Sequence, residues 1–224
     1  MIRPQPGIFA TGYRNHHALE YRIAADCDDA ALRNAVGAAI ATTAELAGCS
    51  MVFAFGTAAW ARLAAEDEQP DGLRDFQEIH GVQGLHAPAT GGDIFIWIQG
   101  SSADLVYDAL SSVHAALAPV ADAQLDLPGF EYHASMDLIG FEDGSANPKD
   151  EAALEAALVP AGASGAGGAF MMTQKWAHDL EAFNALPVPE QEKVVGRTKV
   201  ENIELEGDDM PADSHVSRTD VKVD

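Results

Sequence analysis

Leu19-Glu20-Tyr21-Arg22-Ile23 alternates apolar with charged side chains, the period-two signature of a strand with one buried face. Ile94-Phe95-Ile96-Trp97-Ile98 is instead a continuous apolar run, which suits a central strand. After the first of these, Asp28 and Asp29 can cap a helix in which Leu32, Val36 and Ile40 recur at helical spacing, with Leu46 near the same stripe. That pattern predicts an amphipathic helix over 29–47. Met51–Phe55 reads as a second strand, and a short helix around Trp60 and Leu63 leads into a polar, glycine-bearing loop. Beyond Ile98, Ser101 or Ser102 caps a helix whose Val106, Leu110, Val113 and Leu117 share one face, and a further strand is expected within 129–136. The order β-α-β-β-α-β is the split βαβ arrangement of a ferredoxin-like domain, and the fold class is α+β.

A chain of 224 residues has room for two domains of about a hundred residues each. With 47% apolar residues and a mean hydropathy of -0.06, it belongs with soluble globular sequences and apart from disordered or membrane classes. Thirty-five acidic against 13 basic residues give a formal charge of -22, which repels nucleic acid phosphates and anionic lipid, so neither nucleic acid nor membrane is expected as a partner. The densest acid, at Glu201, Glu204, Glu206, Asp208 and Asp209, reads as a solvated face, with adaptation to high salt or a basic partner as the alternative. Cys27 and Cys49 form neither a metal knuckle nor a disulfide framework, so a reducing compartment fits best. Prolines interrupt the N-terminus where a secretory signal needs an apolar run, and no stretch approaches the about 18 apolar residues of a membrane span. The expected location is cytoplasmic.

The second half is read as a second, incomplete unit. Residues 157–168 are rich in glycine and alanine and predict a loop. Ala169–Trp176 predicts a strand, 178–200 a helical stretch interrupted at Pro187 and Pro189, and Val216–Val223 another strand. The expected division is therefore a first domain over 1–150 and a partial second ferredoxin-like domain over 151–224, whose sheet would lack two strands and a helix.

Two segments could carry chemistry. Asp137-Leu-Ile-Gly-Phe-Glu-Asp-Gly-Ser-Ala-Asn-Pro148 contains Asp-Gly and Asn-Pro pairs and is, on its residues alone, an ordinary turn. The functional alternative is that the glycines flanking Asp143 let the backbone approach a flat ligand while presenting one carboxylate to it. His215, in Pro211-Ala-Asp-Ser-His-Val-Ser-Arg218, is either an exposed or structural histidine or the axial ligand of a haem iron, for which one neutral imidazole suffices. The other seven histidines show no metalloprotease or zinc spacing. There is no dinucleotide fingerprint, Walker loop or nucleophile elbow.

Taken together, these segments resemble a known family. Gly140-Phe-Glu-Asp-Gly144 followed by Ser-Ala-Asn-Pro148 is similar to the Gly-x-x-Asp-Gly signature of dye-decolorizing peroxidases. Gln174-Lys-Trp-Ala-His-Asp179, Leu186-Pro-Val-Pro-Glu-Gln-Glu192, Gly196-Arg-Thr-Lys199 and Ser214-His-Val-Ser-Arg218 look like the bacterial cytoplasmic (type B) branch, in the expected order. The resemblance runs from about residue 5 to the last residue. It implies two ferredoxin-like domains, heme b (iron protoporphyrin IX) in the second, and oxidation of bulky phenols or dyes at the expense of hydrogen peroxide. It implies that His215 is the axial metal ligand and that Asp143 is the distal acid–base residue. It makes Arg197 a candidate for a haem propionate, and Gly144, Ser145 and Asn147 candidates for the cofactor's edge. It also implies a homo-oligomer, with a protein nanocompartment shell as a possible container.

Family members continue beyond the point matched by residue 224, with a tract that supplies a distal arginine. The chain therefore reads as C-terminally truncated relative to them, and Arg218 stands too near His215 to replace that arginine. Loss of such a charge partner costs about a hundred- to a thousandfold in rate. A haem-binding or iron-handling protein with little turnover is accordingly the rival reading, and a haem-free chain kept for assembly with other subunits is a third.

Overall fold

A computed structural model describes residues 3–42, 46–65 and 68–219. The chain divides into two compact units, residues 1–130 with 148–172, and residues 131–147 with 173–224. The units part differently from the division expected at residue 150: the segment 131–147, which holds Asp143, belongs with the second unit, and 148–172 returns to the first.

Unit 1 begins with a 3-10 turn at Pro6–Phe9 and strand β1, Asn15–Ile23. Helix α1 is Asp29–Thr42; Asp28 caps it by accepting the backbone N–H groups of Ala30 and Ala31, both at 2.9 Å. The helix is shorter than the 29–47 expected, with residues 43–45 outside the described set and Gly48 in a turn. Strand β2 is Cys49–Phe55 and helix α2 is Thr57–Leu63. The loop that follows carries a small hairpin, β3 (Ile79–His80) against β4 (His86–Ala87). Strand β5, Ile94–Gly100, leads through Ser102 into helix α3, Ala103–Leu117, and then into β6, Ala121–Phe130.

The four long strands form one antiparallel sheet in the order β2-β5-β1-β6. This is the split βαβ topology: β5 enters between β1 and β2, and the two long helices α1 and α3 each cross to a non-adjacent strand. Alternation on β1 decides which face is covered. His17, Leu19 and Tyr21 are buried, as are Ile94, Ile96 and Ile98 on β5, and they pack with Leu32, Val36 and Ala39 of α1 and Val106, Val113 and Leu117 of α3. Each such large side chain contributes about 1.5–3 kcal/mol by leaving water. Ile40, assigned to the α1 stripe from its spacing, is 45% exposed, and Ala39 takes the core position instead.

The fourth strand corrects an expectation. It occupies 121–130 instead of 129–136, and residues 131–135 form loop and turn. Among the described residues β6 pairs only with β1, so it is an edge strand there, and its Ala-Asp-Ala-Gln-Leu-Asp-Leu-Pro run is mostly exposed. An edge tolerates Pro128 and needs no apolar alternation, which removes the signal by which strands are recognised.

A chain of polar side chains ties this edge to the core. Tyr21 Oη lies 2.7 Å from His114 Nδ1, His114 Nε2 lies 3.1 Å from Asp126 Oδ2, and His17 Nε2 lies 2.5 Å from Asp126 Oδ1. The hydrogen bond from His17, opposed by partial desolvation and joined by that from His114, holds the Asp126 carboxyl below its ordinary range. A depressed folded-state value means that the stabilisation is fully present above the unfolded carboxyl's value of about 3.9 and is lost as pH falls through the folded one. Asp126→Asn therefore destabilises the chain at neutral pH, and its deficit relative to the parent in urea denaturation shrinks below about pH 4. A deficit that stays constant down to about pH 3 would contradict this assignment.

After β6, unit 1 takes the chain back for α4, Asp150–Ala157, and the glycine-rich loop predicted at 157–168. That loop closes on itself through Val159 N–H to Gly168 O (2.8 Å) and Gly167 N–H to Val159 O (3.0 Å). Unit 2 contains α5, Leu180–Ala185, α6, Val188–Val195, and α7, His215–Thr219. The break between α5 and α6 falls at the expected prolines, with Pro187 at the N-cap of α6. The two strands expected here are absent among the described residues. Ala169–Trp176 makes only the single bridge Leu158–Ala169, and His215–Thr219 is helical, residues 220–223 lying outside the described set. Alternation of short apolar residues cannot separate a strand from a one-turn helix, and the hydroxyl of Ser214 settles this one by capping α7. No described helix is long and apolar enough to cross a membrane.

Candidate active site

Both residues singled out for chemistry lie in unit 2. Asp143 closes a tight reversal. Asp137 N–H donates to Phe141 O (2.8 Å), Gly140 N–H to Asp137 O (2.9 Å) and Asp143 N–H to Ser135 O (2.8 Å), while Asp137 Oδ1 accepts from Ile139 N–H at 2.8 Å. Gly140 sits at φ +84°, a left-handed conformation that disfavours a side chain, and the space beside it is filled by Lys199 Cε. Phe141 anchors the reversal: it is 4% exposed, meets Phe183 edge-on at 6.3 Å and has Lys199 Nζ 5.3 Å above its ring. Glu142, Asp143 and Gly144 are exposed, and Asn147 N–H turns back to Gly144 O at 3.1 Å, with Ser145 half-buried inside that turn. The Asp143 carboxylate makes no hydrogen bond or ion pair among the described residues.

His215 is the first residue of α7, and its imidazole is likewise exposed and without a polar partner among the described residues. Its backbone is nevertheless firmly held. Ser214, 1% exposed, accepts from Ser217 N–H at 3.2 Å and donates towards Met210 Sδ at 3.2 Å, and Ser217 Oγ donates to Pro211 O at 2.8 Å. Gly196, the left-handed cap of α6 at φ +92°, leaves room for this corner: a Cβ there would lie 2.9 Å from Val216 Cβ and 3.0 Å from Ser214 Oγ. The Gly in Gly196-Arg-Thr-Lys199 is thus the packing partner of the His215 turn.

Arg197 begins a short reversal, bridged to Glu204. Its Nε donates to Asn202 Oδ1 (2.8 Å), one terminal nitrogen to Asn202 O (3.2 Å) and the other to Glu204 Oε2 (3.4 Å). The guanidinium fork is therefore engaged within its own reversal, and an incoming carboxylate would have to displace these bonds. Asn202 in turn donates to Glu142 Oε2 at 3.0 Å. Asp143 and His215 do not touch; hydrogen bonds join Glu142 to Asn202 and Asn202 to Arg197, and Gly196, next to Arg197 in the chain, packs closely against Ser214. Sequence reasoning missed Glu142 and Asn202, since nothing in the spacing of two polar residues 60 positions apart, one exposed and one half-buried, marks them as partners.

Unit 2 has little core of its own. Among its described residues only Phe141, Gln191, Gly196 and Ser214 are buried, while Trp176 (74% exposed), Val200 (85%) and Ile203 (61%) stand in solvent. An exposed imidazole, an exposed carboxylate and this much uncovered apolar side chain suit a large, flat, apolar, metal-bearing group.

Comparison with known proteins converges on one family. Residues 22–131 match the profile of the Dyp-type peroxidase N-terminal domain, and residues 134–224 match that of its C-terminal domain. The chain belongs to the Dyp-type peroxidase family. A dye-decolorizing peroxidase of Rhodococcus erythropolis is 38% identical over 173 residues, 77% of this chain and 50% of the relative. A dye-decolorizing peroxidase from Bacteroides thetaiotaomicron superposes with a TM-score of 0.83 at 26% identity, covering 99% of this chain and 74% of that one. A variant of DypB from Rhodococcus jostii RHA1, solved in complex with heme, superposes with a TM-score of 0.79 at 28% identity, covering 96% and 71%. The chain thus spans half the length of the curated relative it matches. As in these Dyp-type peroxidases, the mixed α/β architecture places an antiparallel sheet in the N-terminal half.

Proposed function

We propose that the chain is the haem-binding and peroxide-activating part of a dye-decolorizing peroxidase, in which His215 would hold the haem iron and Asp143 would serve as the acid–base residue. The observation that carries the reading is a pair of exposed groups, one imidazole and one carboxylate, that have no polar partner among the described residues, in a unit whose described large apolar side chains are mostly uncovered. Family membership supports the cofactor: the comparable DypB variant holds heme. When bound, haem supplies the redox-active iron at which peroxide is reduced.

The chain's own residues do the rest. His215 presents a ring nitrogen from a backbone corner pre-formed by Ser214, Ser217 and Gly196, so ligation needs little ordering of the backbone. Asp143 takes the proton from one oxygen of hydrogen peroxide and returns it to the other, which leaves as water. Its loop is held by backbone bonds and by Phe141, so the carboxylate can gain and lose a proton without losing its position. Gly144 keeps that loop bare of side chain beside the carboxylate, and Ser145 and Asn147 border it. Arg197 meets a haem propionate only by giving up Asn202 and Glu204.

The reducing substrate is a small aromatic molecule of the phenol or dye class. A homo-oligomeric state and packaging in a nanocompartment shell rest on the family resemblance, and a cytoplasmic location rests on that resemblance together with the two free cysteines, Cys27 and Cys49. The reading is tested by titrating the protein with haemin and then adding hydrogen peroxide and a reducing dye. A Soret band that saturates near one equivalent, followed by peroxide-dependent bleaching, is expected. Saturable haem binding without bleaching would favour the haem-handling alternative, and no Soret shift would defeat both.

A further inference from the structure

Tyr21, His114, Asp126 and His17 form a line of side-chain hydrogen bonds inside unit 1 that the proposed reaction does not use. Tyr21 is 1% exposed, the largest side chain sealed in that core. His17, 8% exposed, stands at the other end, in the wall of a groove of about 250 Å³ that is also lined by Tyr107, Leu110 and Pro128. The direction of each bond follows from the terminal acceptor. The Asp126 carboxylate can only accept, so in the neutral imidazole His114 Nε2 carries the hydrogen and Nδ1 is the acceptor, to which the Tyr21 phenol donates at 2.7 Å.

Losing one electron makes a phenol a strong acid, so a buried tyrosine is oxidisable only where a base receives the proton at once. We propose that Tyr21 is a redox-active tyrosine that gives its electron to a strong one-electron oxidant and its phenolic proton to His114 Nδ1. The O–H bond breaks and an N–H bond forms, leaving a neutral tyrosyl radical beside an imidazolium whose charge Asp126 balances. Reduction by an electron from an aromatic donor returns the proton to the phenol. Burial, and then the charge of Asp126, raise the phenol above its ordinary pKa, which disfavours loss of the proton ahead of the electron. For its natural oxidant, haem once oxidised by peroxide, this inference rests on the proposed function. The bare structural reading, that the phenol is paired because an unpaired buried hydroxyl is costly, accounts for the bond to His114. It does not require a histidine whose far nitrogen is held on a carboxylate.

The test uses the full chain with the other three tyrosines, Tyr13, Tyr107 and Tyr132, replaced by phenylalanine, and photogenerated tris(bipyridine)ruthenium(III) as oxidant. Electron paramagnetic resonance is expected to show a tyrosyl radical that Tyr21→Phe removes. His114→Gln, which still accepts a hydrogen bond but cannot take a proton, is expected to slow radical formation by at least about tenfold and to abolish its solvent deuterium isotope effect. No radical at Tyr21, or equal rates in His114→Gln, would overturn the proposal. The haem-loaded protein treated with peroxide and freeze-quenched is expected to give the same signal. A radical under ruthenium with none under peroxide upholds Tyr21 and counts against the peroxidase reading.

Discussion

Asp143→Asn lowers peroxide-dependent dye oxidation by about 10²- to 10⁴-fold in haem-saturated protein, the usual worth of a positioned proton-transfer group, and leaves the haem titration unchanged. The substitution keeps the shape of the side chain and removes only its capacity to accept and return a proton. The loop should not move, because Asp143 is placed by its backbone N–H on Ser135 O and by the buried Phe141 two residues before it, not by its carboxylate. The effect should fall on kcat with little change in the KM for dye. An unchanged turnover would remove Asp143 from the reaction, whereas a matching loss of haem would show that its carboxylate positions the cofactor.

His215→Ala weakens haemin binding by at least about 100-fold, because removing even the outer hydrogen-bonding partner of a metal ligand costs about 10- to 100-fold and here the ligand itself is lost. The corner that presents the imidazole survives the change, since Ser214, Ser217 and Gly196 hold it through atoms the substitution does not touch. Circular dichroism should therefore match the parent while the Soret band is lost, and free imidazole should restore part of the band. An identical Soret spectrum in the variant would assign the iron to another residue.

The difference between these two residues is instructive for reading a sequence. Asp143 lies in a stretch whose glycines and Asx turn are local chemistry, so the reversal at 137–143 could be expected from residues adjacent in the chain. His215 was expected at the edge of a strand and instead opens a helix: Ser214 caps it locally, and Gly196, 19 positions earlier, leaves room for the corner against which it packs. The Tyr21–His114–Asp126–His17 line was invisible for a related reason. His17 and Tyr21 share the buried face of β1 by alternation, but Asp126 lies on an edge strand that carries no periodic signal, so its pairing with them needs the register of β1 on β6.

By itself, the sequence determined the split βαβ order of the first half, the amphipathic helices that build it and the Asp28 cap of the first, Pro187 between α5 and α6, and the family signature around Asp143 and His215; the cap expected from Ser101 or Ser102 is not made, since Ser102 stands at the N-cap of α3 without a side-chain bond. These are written in short-range patterns of burial and turn chemistry, which survive without knowledge of what packs where. Tertiary structure alone decided that 131–147 joins the second unit, that the fourth strand is 121–130, and that Arg197 is spent on Asn202 and Glu204. Each of those depends on a partner far away in the chain, and a contact across dozens of residues is fixed by packing and by the satisfaction of polar groups, neither of which has a local period to read.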